Sequence, residues 1–469
     1  MRLGLDRLWL FLALALPALA SLLVPMPAVD LAYGVRAGNE ILASGALPSV
    51  DTWTFTVAGS AWLDQQWLAQ VLFALLHRAG GWELLAVVRA ALVAGSFGLV
   101  AAAAMERGAA ARTAAILSLV AFALGAPALA LRPQLLGIGL FAVLLWLVAG
   151  RERHPHRFLA APLLVVLWAN VHGSVVLAVP LLGTALLEDL VAHRPARRSA
   201  VVLALGVVAT LVNPFGAGVW AYAAGLGANA AVTSQVSEWQ RTSPFTVTGA
   251  LFYASVAGVV VLVWRSRARF PVAWPGLLWL AVLAAVGAWT VRGLAWWPLG
   301  AAVGLVGLLP AGALGARPRR VNLVNAVAVA ALSLAVIAAL PWWRPSDPLT
   351  GRAGLLGYAP SPLAGSLRAA VHPGDRVLAP QPWASWFEWS APDATYFVDS
   401  RIELFPATVW TEYGTMTAGG PDARGALDSW GIRFVVVDAR SSSVLEGQAI
   451  AGWRRIFEDA DGAIYERPD

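Results

Sequence analysis

Residues 131–157 read LRPQLLGIGLFAVLLWLVAGRERHPHR. The middle of this stretch, 133–150, holds no charged residue at all. A helix rises about 1.5 Å per residue, so roughly 20 apolar residues cross about 30 Å of hydrocarbon. Such a segment reads as a membrane span, with Arg132 and Gln134 at its front and a basic run, 151–157, behind it. Working outward, the same pattern recurs at 8–26, 82–104, 113–130, 158–171, 173–191, 199–214, 247–264, 273–290, 294–311 and 321–340. The segments 158–171 and 199–214 are short, and tilting, breaking or shielding by neighbours accommodates them.

Composition agrees. Of 469 residues, 59% are hydrophobic and 13% charged, with a mean hydropathy of +0.68. Soluble chains carry about 25% charged residues, so disorder, a coiled coil and an ordinary cytosolic enzyme are excluded. The expected class is a polytopic α-helical membrane protein of about 11 spans. There is no cysteine, hence no disulfide framework, thiolate metal site or cysteine nucleophile.

The formal charge of +6 is carried entirely by arginine. The arginines gather at Arg2/Arg7, Arg107/Arg112, 151–157, 192–198, 265–269 and 317–320, which are alternate connections in the eleven-span order. The positive-inside rule then puts the N-terminus in the cytoplasm and the C-terminus outside. The basic charge reads as topology, and no nucleic acid is expected as a partner. Residues 8–26 superficially resemble a signal peptide, but the apolar run is long and spanning sequence follows it; a retained first helix is expected.

Two domains are expected. Residues 1–344 form the transmembrane domain, with long outer loops at 27–81 and 215–246. Residues 345–469 form a small extracytoplasmic α/β domain. Its β-rich runs begin at Arg376, Thr395 and Phe434, with helical segments around 361–371 and 421–430 and a hairpin around Asp459–Gly462. No pair of broken helices in inverted repeat stands out, which counts against a secondary transporter.

Polar side chains are costly in a membrane, so their placement carries information. Most of the unusual ones fall on the expected outer face. They are Asp30, Asp51, Asp64, Gln65, Gln66, Trp67, Arg132, Gln134, Asn170, His172, Glu238, Trp239 and Arg292. A single polar site at the outer interface explains this one-sidedness. Each residue also has a plainer reading. Asp30 can be a helix-end carboxylate, and Arg36 with Glu40 an i,i+4 ion pair. His172 can be a packing residue, Asn213-Pro-Phe-Gly a helix stop, and Arg132 and Arg292 snorkelling side chains. Trp62 and Trp67 read as interface residues, and 66–78 as an in-plane amphipathic helix.

The stretch from Asp30 to about Arg89 resembles the first outer loop of GT-C type membrane glycosyltransferases, and more closely a bacterial, uncharacterised GT-C-like group. The matching residues are Asp30 with Tyr33 and Gly38; Pro48 with Asp51, Trp53, Thr54 and Phe55; and Trp62 with Trp67 and Leu68. Further matches are Arg132-Pro-Gln134, Trp168-Ala-Asn-x-His172-Gly173, Asn213-Pro-Phe-Gly216, Glu238-Trp239 and Asp399-x-Arg401. The ordered set covers essentially the whole chain. One departure stands out: Gln65-Gln66 occupies the place where many of that group have His-Glu.

The resemblance implies a sugar transfer from a polyprenyl-phosphate donor to a cell-envelope acceptor, which is a glycan, lipid or protein. It places this chemistry at the outer face of a bacterial plasma membrane. Asp30 is then the catalytic base or acceptor-orienting group. Arg132 and Arg292 stabilise the leaving phosphate. Gln134, Asn170 and His172 bind sugar hydroxyls, and Trp62, Trp67 and Trp239 stack on the sugar or line the prenyl groove. Glu238 holds the acceptor or a divalent metal, the metal requirement being open. Tyr33, Asp64 and Gln66 complete the substrate-binding set, with Asp64 the residue that stands in for the missing pair. The tail is a lid or acceptor-recognition module, or a plain folded cap. Two other readings stay open: a non-catalytic polyprenyl-lipid binding or envelope-assembly protein on the same scaffold, and a transporter.

Overall fold

The computed structural model describes residues 4–228, 233, 236–266, 274–309, 322–343, 354–440 and 449–468. The arginine runs at 267–269 and 317–320 lie outside the described residues, as do 344–353, where the tail was expected to begin. The chain divides into two compact units. The first comprises Met1–Pro25, Gly80–Gly225 and Ser237–Leu355, and the second Met26–Ala79, Leu226–Val236 and Leu356–Asp469.

The first unit is helical. Among the described residues, six helical stretches are long and apolar enough to cross a membrane: Leu5–Leu23, Trp67–Glu106, Ala111–Ala128, Gly173–Val191, Val247–Ser266 and Val291–Leu308. Shorter apolar helices occupy Pro133–Ala149, Pro155–Val171, Trp274–Trp289 and Leu323–Ala338, and Arg197–Ala209 is also helical. Trp67–Glu106 is broken at Gly80 and Gly81, where Gly81 takes φ 63° and ψ −160°. An L side chain strongly disfavours that conformation, so glycine sets the break. The helix Pro133–Ala149 starts where sequence dictates. Arg132 is extended, at φ −149° and ψ 168°, and Pro133 takes the first turn, where its missing N–H costs nothing.

Charge inside this unit is matched to backbone or to opposite charge. Arg89, 5% exposed, donates to the carbonyls of Val24 at 2.8 Å and Leu129 at 3.1 Å. It thereby satisfies acceptors that two helix ends leave open. Three of the arginine-rich connections meet in one ion network. Arg151 bonds Asp189 at 2.8 Å and Glu188 at 2.9 Å, Arg107 bonds Glu188 at 3.0 Å, and Arg157 bonds Glu106 at 2.7 Å. Arg194 pairs with Glu152, and Ser199 donates to Asp189.

The second unit is built on a five-stranded sheet. With β1 at Met26–Pro27, β2 at Leu356–Gly357, β3 at Arg376–Leu378, β4 at Thr395–Tyr396, β5 at Phe434–Asp438, β6 at Arg454–Glu458 and β7 at Gly462–Glu466, the order is β4-β3-β5-β7-β6. Strand β3 pairs in parallel with β4 and β5, while β7 is antiparallel to β5 and β6. The β6–β7 hairpin turns at Asp459, whose side chain accepts from the N–H groups of Asp461 and Gly462. Strands β1 and β2 form a separate parallel pair.

The first long loop supplies part of this unit's core. Thr54 bridges to Tyr396 on the β4 edge, and Thr56 Oγ1 donates to the Phe397 carbonyl at 2.7 Å. The helix Val29–Ser44 packs on the helix Gln381–Ser390, with Arg36 Nη1 donating to the Glu388 carbonyl at 2.8 Å. Arg36 also pairs with Glu40 at 2.9 Å, as the i,i+4 spacing suggested.

At the centre lies Arg401, with a side chain only 1% exposed. Its Nη2 bonds Asp51 at 2.5 Å and its Nε bonds Asp399 at 2.8 Å. Its guanidinium carbon stands 4.3 Å from the Trp53 ring centroid and 4.5 Å from that of Trp62. Trp62 is thus 6% exposed and part of a cation–π pocket rather than an interface residue. Glu388 is fully buried nearby. Burial, with the charge of Asp399, raises its pKa well above the usual glutamate value, against the pull of Arg401 and Arg36.

Two outcomes follow from this packing. A Cβ on Gly38 lies 2.1 Å from the Gln70 carbonyl oxygen and 2.8 Å from the Ala74 Cβ. Gly38→Val is therefore expected to destabilise the second unit by about 1–3 kcal/mol or more, read as a lower unfolding midpoint. For Glu388, the unfolded state ionises near its ordinary value while the folded state keeps the proton. Stability is then lost as pH rises from about 4.5 toward the folded value. Glu388→Gln removes that slope, so denaturant titrations at increasing pH should favour the variant more and more.

Candidate functional site

Within the first unit, three connections converge on two cations and a carboxylate. Arg132 precedes the helix Pro133–Ala149 and grips Glu238 with both nitrogens, Nη1 to Oε2 at 2.7 Å and Nη2 to Oε1 at 2.8 Å. Arg292 Nη1 lies 4.0 Å from the same Oε2, and its guanidinium stands 5.3 Å from the Trp239 ring centroid. Gln134 Nε2 donates to the Arg292 carbonyl at 3.3 Å. Burial alone would raise the Glu238 pKa, but the Arg132 hydrogen bonds and the charges of both arginines outweigh it and hold the carboxyl below its usual range.

Local structure explains the convergence. Arg292 sits in a 3-10 turn, Val291–Ala295, capped by Thr290, whose Oγ1 accepts from the Gly293 N–H at 3.0 Å. The segment carrying Glu238 is tied to this elbow, since Val291 N–H donates to the Gln240 carbonyl at 3.0 Å and Thr242 Oγ1 donates to that of Gly287 at 2.6 Å. Gly137 stands one turn after Gln134. A Cβ there lies 2.8 Å from Ser174 Oγ and 3.5 Å from His172 Nδ1, so glycine permits the approach.

His172 lies within electrostatic reach of Arg132 and Arg292. Its Nδ1 accepts the Ser174 N–H at 3.1 Å and meets Ser174 Oγ at 2.8 Å, which leaves Nε2 as the N–H of the neutral ring. Ser174 also receives the Trp168 indole N–H at 3.0 Å. The sequence reading passed Ser174 over, although its place two residues after His172 is a capping pattern. Asn170 Nδ2 donates to the carbonyls of Val166 and Val212, and Asn213 closes its own turn by accepting from the Phe215 N–H at 2.8 Å.

The other sequence candidates lie in the second unit. Asp30 is in the first turn of Val29–Ser44, where the helix dipole favours a carboxylate. One turn on, the Tyr33 side chain is buried within electrostatic reach of Asp30, Asp64, Glu403 and Arg401. Asp64 Oδ1 accepts from Gln70 Nε2 at 2.7 Å. Gln66 and Trp67 are half-buried where the Trp67–Glu106 helix starts. Among the described residues, no group of three or more His, Asp or Glu is spaced to hold a metal ion.

The arginine pair and its carboxylate give one test. Glu238 neutralises one of two facing cations, so Glu238→Gln leaves both for an anion. Inorganic phosphate should bind the variant roughly tenfold more tightly, about 1.4 kcal/mol, as read by titration calorimetry.

No family model and no curated protein matches the sequence. Solved structures do. An oligosaccharyltransferase from Archaeoglobus fulgidus aligns with 99% of this chain and 74% of its own, at 13% identity and a TM-score of 0.55. ArnT from Cupriavidus metallidurans aligns over 97% of both chains at 18% identity and a TM-score of 0.53. The same ArnT bound to undecaprenyl phosphate matches at 16% identity and a TM-score of 0.53. Both proteins are GT-C glycosyltransferases. The backbone likeness runs over nearly the whole chain, and the fold of this protein is GT-C-like.

Proposed function

We propose that the protein is an integral-membrane glycosyltransferase of the bacterial plasma membrane. It moves a sugar from a polyprenyl-phosphate donor to a cell-envelope acceptor at the outer face, with the tail, 345–469, extracytoplasmic. The observation that carries this reading is the Arg132–Glu238–Arg292 cluster on a GT-C-like fold. A guanidinium pair suits a phosphate leaving group, because planar N–H forks bind its oxygens bidentately. The solved ArnT complex with undecaprenyl phosphate, and a solved oligosaccharyltransferase carrying a tethered acceptor peptide, make the two substrate classes reasonable for this scaffold.

In this reading Arg132 and Arg292 take the charge that develops as the bond from the anomeric carbon to the phosphate oxygen breaks. Glu238 keeps the two cations in place before the donor arrives. Gln134, Asn170 and the His172 Nε2–H serve sugar hydroxyls, while Trp239 and Trp67 offer flat apolar faces. Asp30 takes the proton of the acceptor as its oxygen attacks. Tyr33, Asp64 and Gln66 shape its surroundings.

A second reading rests on one feature. Gln65 and Gln66 stand where the resembling group often has His-Glu, and neither amide can exchange a proton at neutral pH. That favours a polyprenyl-lipid binding protein without turnover.

One assay separates the two. Purified protein in nanodiscs is given a panel of polyprenyl-phosphate sugars, and donor consumption and free polyprenyl phosphate are followed. Wild type is expected to consume a donor, and Asp30→Asn to lose about 10²–10⁴-fold in turnover. Arg132→Gln should weaken donor binding. Measurable donor binding with no consumption by wild type selects the second reading.

A further inference from the structure

The second unit carries a hollow of about 520 Å³ that the proposed reaction does not use. It lies where the helix Ala407–Ala418 begins, beside the end of the helix Ala423–Ser429 and the chain at Thr56. Pockets of about 300–1,000 Å³ hold small ligands. This one is lined by an indole, Trp430, a carboxylate, Glu412, and three hydroxyls, Thr56, Thr408 and Ser429.

What each group has left to offer sets the chemistry. Thr56 Oγ1 donates to the Phe397 carbonyl at 2.7 Å, and Ser429 Oγ donates to that of Ala426 at 2.9 Å. Their protons are spent, so both oxygens can only accept, as a carboxylate does. Thr408 and Glu412 stand one turn apart on the same helix face. Neither side chain makes a hydrogen bond or ion pair with any described residue. The indole is held in advance. The Trp430 ring centroid lies 5.1 Å from that of Phe397, edge-on, and 6.2 Å from that of Phe55. Its backbone N–H donates to the Ala426 carbonyl at 3.1 Å, and its own carbonyl accepts from Arg376 Nη1 at 2.9 Å. Fixing such a ring on binding costs little entropy.

A site rich in acceptors calls for O–H and N–H donors. Phosphate brings acceptors and negative charge, and no lining residue is a cation, so the phosphate end of a lipid-linked donor does not suit it. A lysine side chain would satisfy Glu412 but fill little of the volume. A saccharide brings hydroxyl donors at its rim and a C–H face that suits the negative face of an indole.

We propose that this hollow is a carbohydrate subsite. A sugar ring stacks on Trp430 and gives hydroxyl or amino protons to Glu412, while Thr56, Thr408 and Ser429 meet its other hydroxyls. Resting on the glycosyltransferase reading, that sugar is part of the acceptor, so the acceptor is a glycan rather than a peptide.

The test is titration calorimetry on the full chain in nanodiscs, run beside the donor-consumption assay. The probes are glucosamine, N-acetylglucosamine, cellobiose, glucose phosphate and trilysine at millimolar concentration. Wild type is expected to bind at least one of the three uncharged or amino sugars more tightly than the sugar phosphate or the peptide. Glu412→Gln should weaken that binding about fivefold, and Trp430→Ala about tenfold. If Trp430→Ala fails to fold, Glu412→Gln and Thr408→Ala, both outside the core, carry the test. No sugar bound by wild type, unchanged binding in the variants, or tighter binding of glucose phosphate or trilysine overturns the proposal. Donor consumption by a wild type that binds no sugar here removes the subsite and leaves the glycosyltransferase reading intact. Sugar binding lost in the variants, without donor consumption, keeps the subsite and overturns its role in holding an acceptor.

Discussion

A guanidinium taken out of water must have its charge balanced and its N–H groups met, or the fold loses several kcal/mol. Arg401 has its charge balanced by two carboxylates, Asp51 and Asp399, and packs against two indole faces, Trp53 and Trp62, while its Nη1 makes no hydrogen bond. Asp51 is itself held by Thr54, which donates to it through both its hydroxyl and its N–H. One side chain thus fixes the loop around 51–62 to the strand-bearing tail. The loop in turn positions Tyr33 and the helix that carries Asp30, since Tyr33, Ala37, Trp53 and Trp62 share one apolar cluster. Glu388 adds a third acid to the same interior, and its retained proton keeps the charge count near balance.

The helical unit handles charge differently at the two ends of Pro133–Ala149. Beyond its C-terminus, Arg151 is saturated by Asp189, Glu188 and two backbone carbonyls. Before its N-terminus, Arg132 and Arg292 share a single carboxylate. The first arrangement is complete and clamps helices. The second is partly exposed and flanked by the Trp239 ring.

Much of this was legible in sequence because lipid imposes simple rules. The apolar runs fall on helices, six of them among the described residues long and apolar enough to cross a membrane, and the break at Gly80–Gly81 falls between 66–78 and 82–104. The strands at Arg376, Thr395 and Phe434 announced themselves by β-branched and aromatic runs. The helices Gln381–Ser390 and Ala407–Ala418 did not. The first is crowded with Trp and Phe, the second with Thr, and such residues have modest helix propensity; burial of Trp383, Trp386, Phe387, Val409 and Trp410 overrides it. Trp62 looked like an interface residue because sequence offers no sign of its cation 339 positions away. The Arg132–Glu238–Arg292 meeting was expected only as a shared face, since spacing carries no distances.

The second unit is assembled from the beginning and the end of the chain, with most of the helical unit in between. Asp51 waits for Arg401 across 350 positions of sequence. During synthesis the loop around 51–62 therefore emerges with a carboxylate and two indoles prepared for a cation that the ribosome has not yet made. Contacts so distant in sequence are slow to form. The earlier half stays exposed until Arg401 has been made, which makes it a natural client for whatever holds unfinished chains at the membrane.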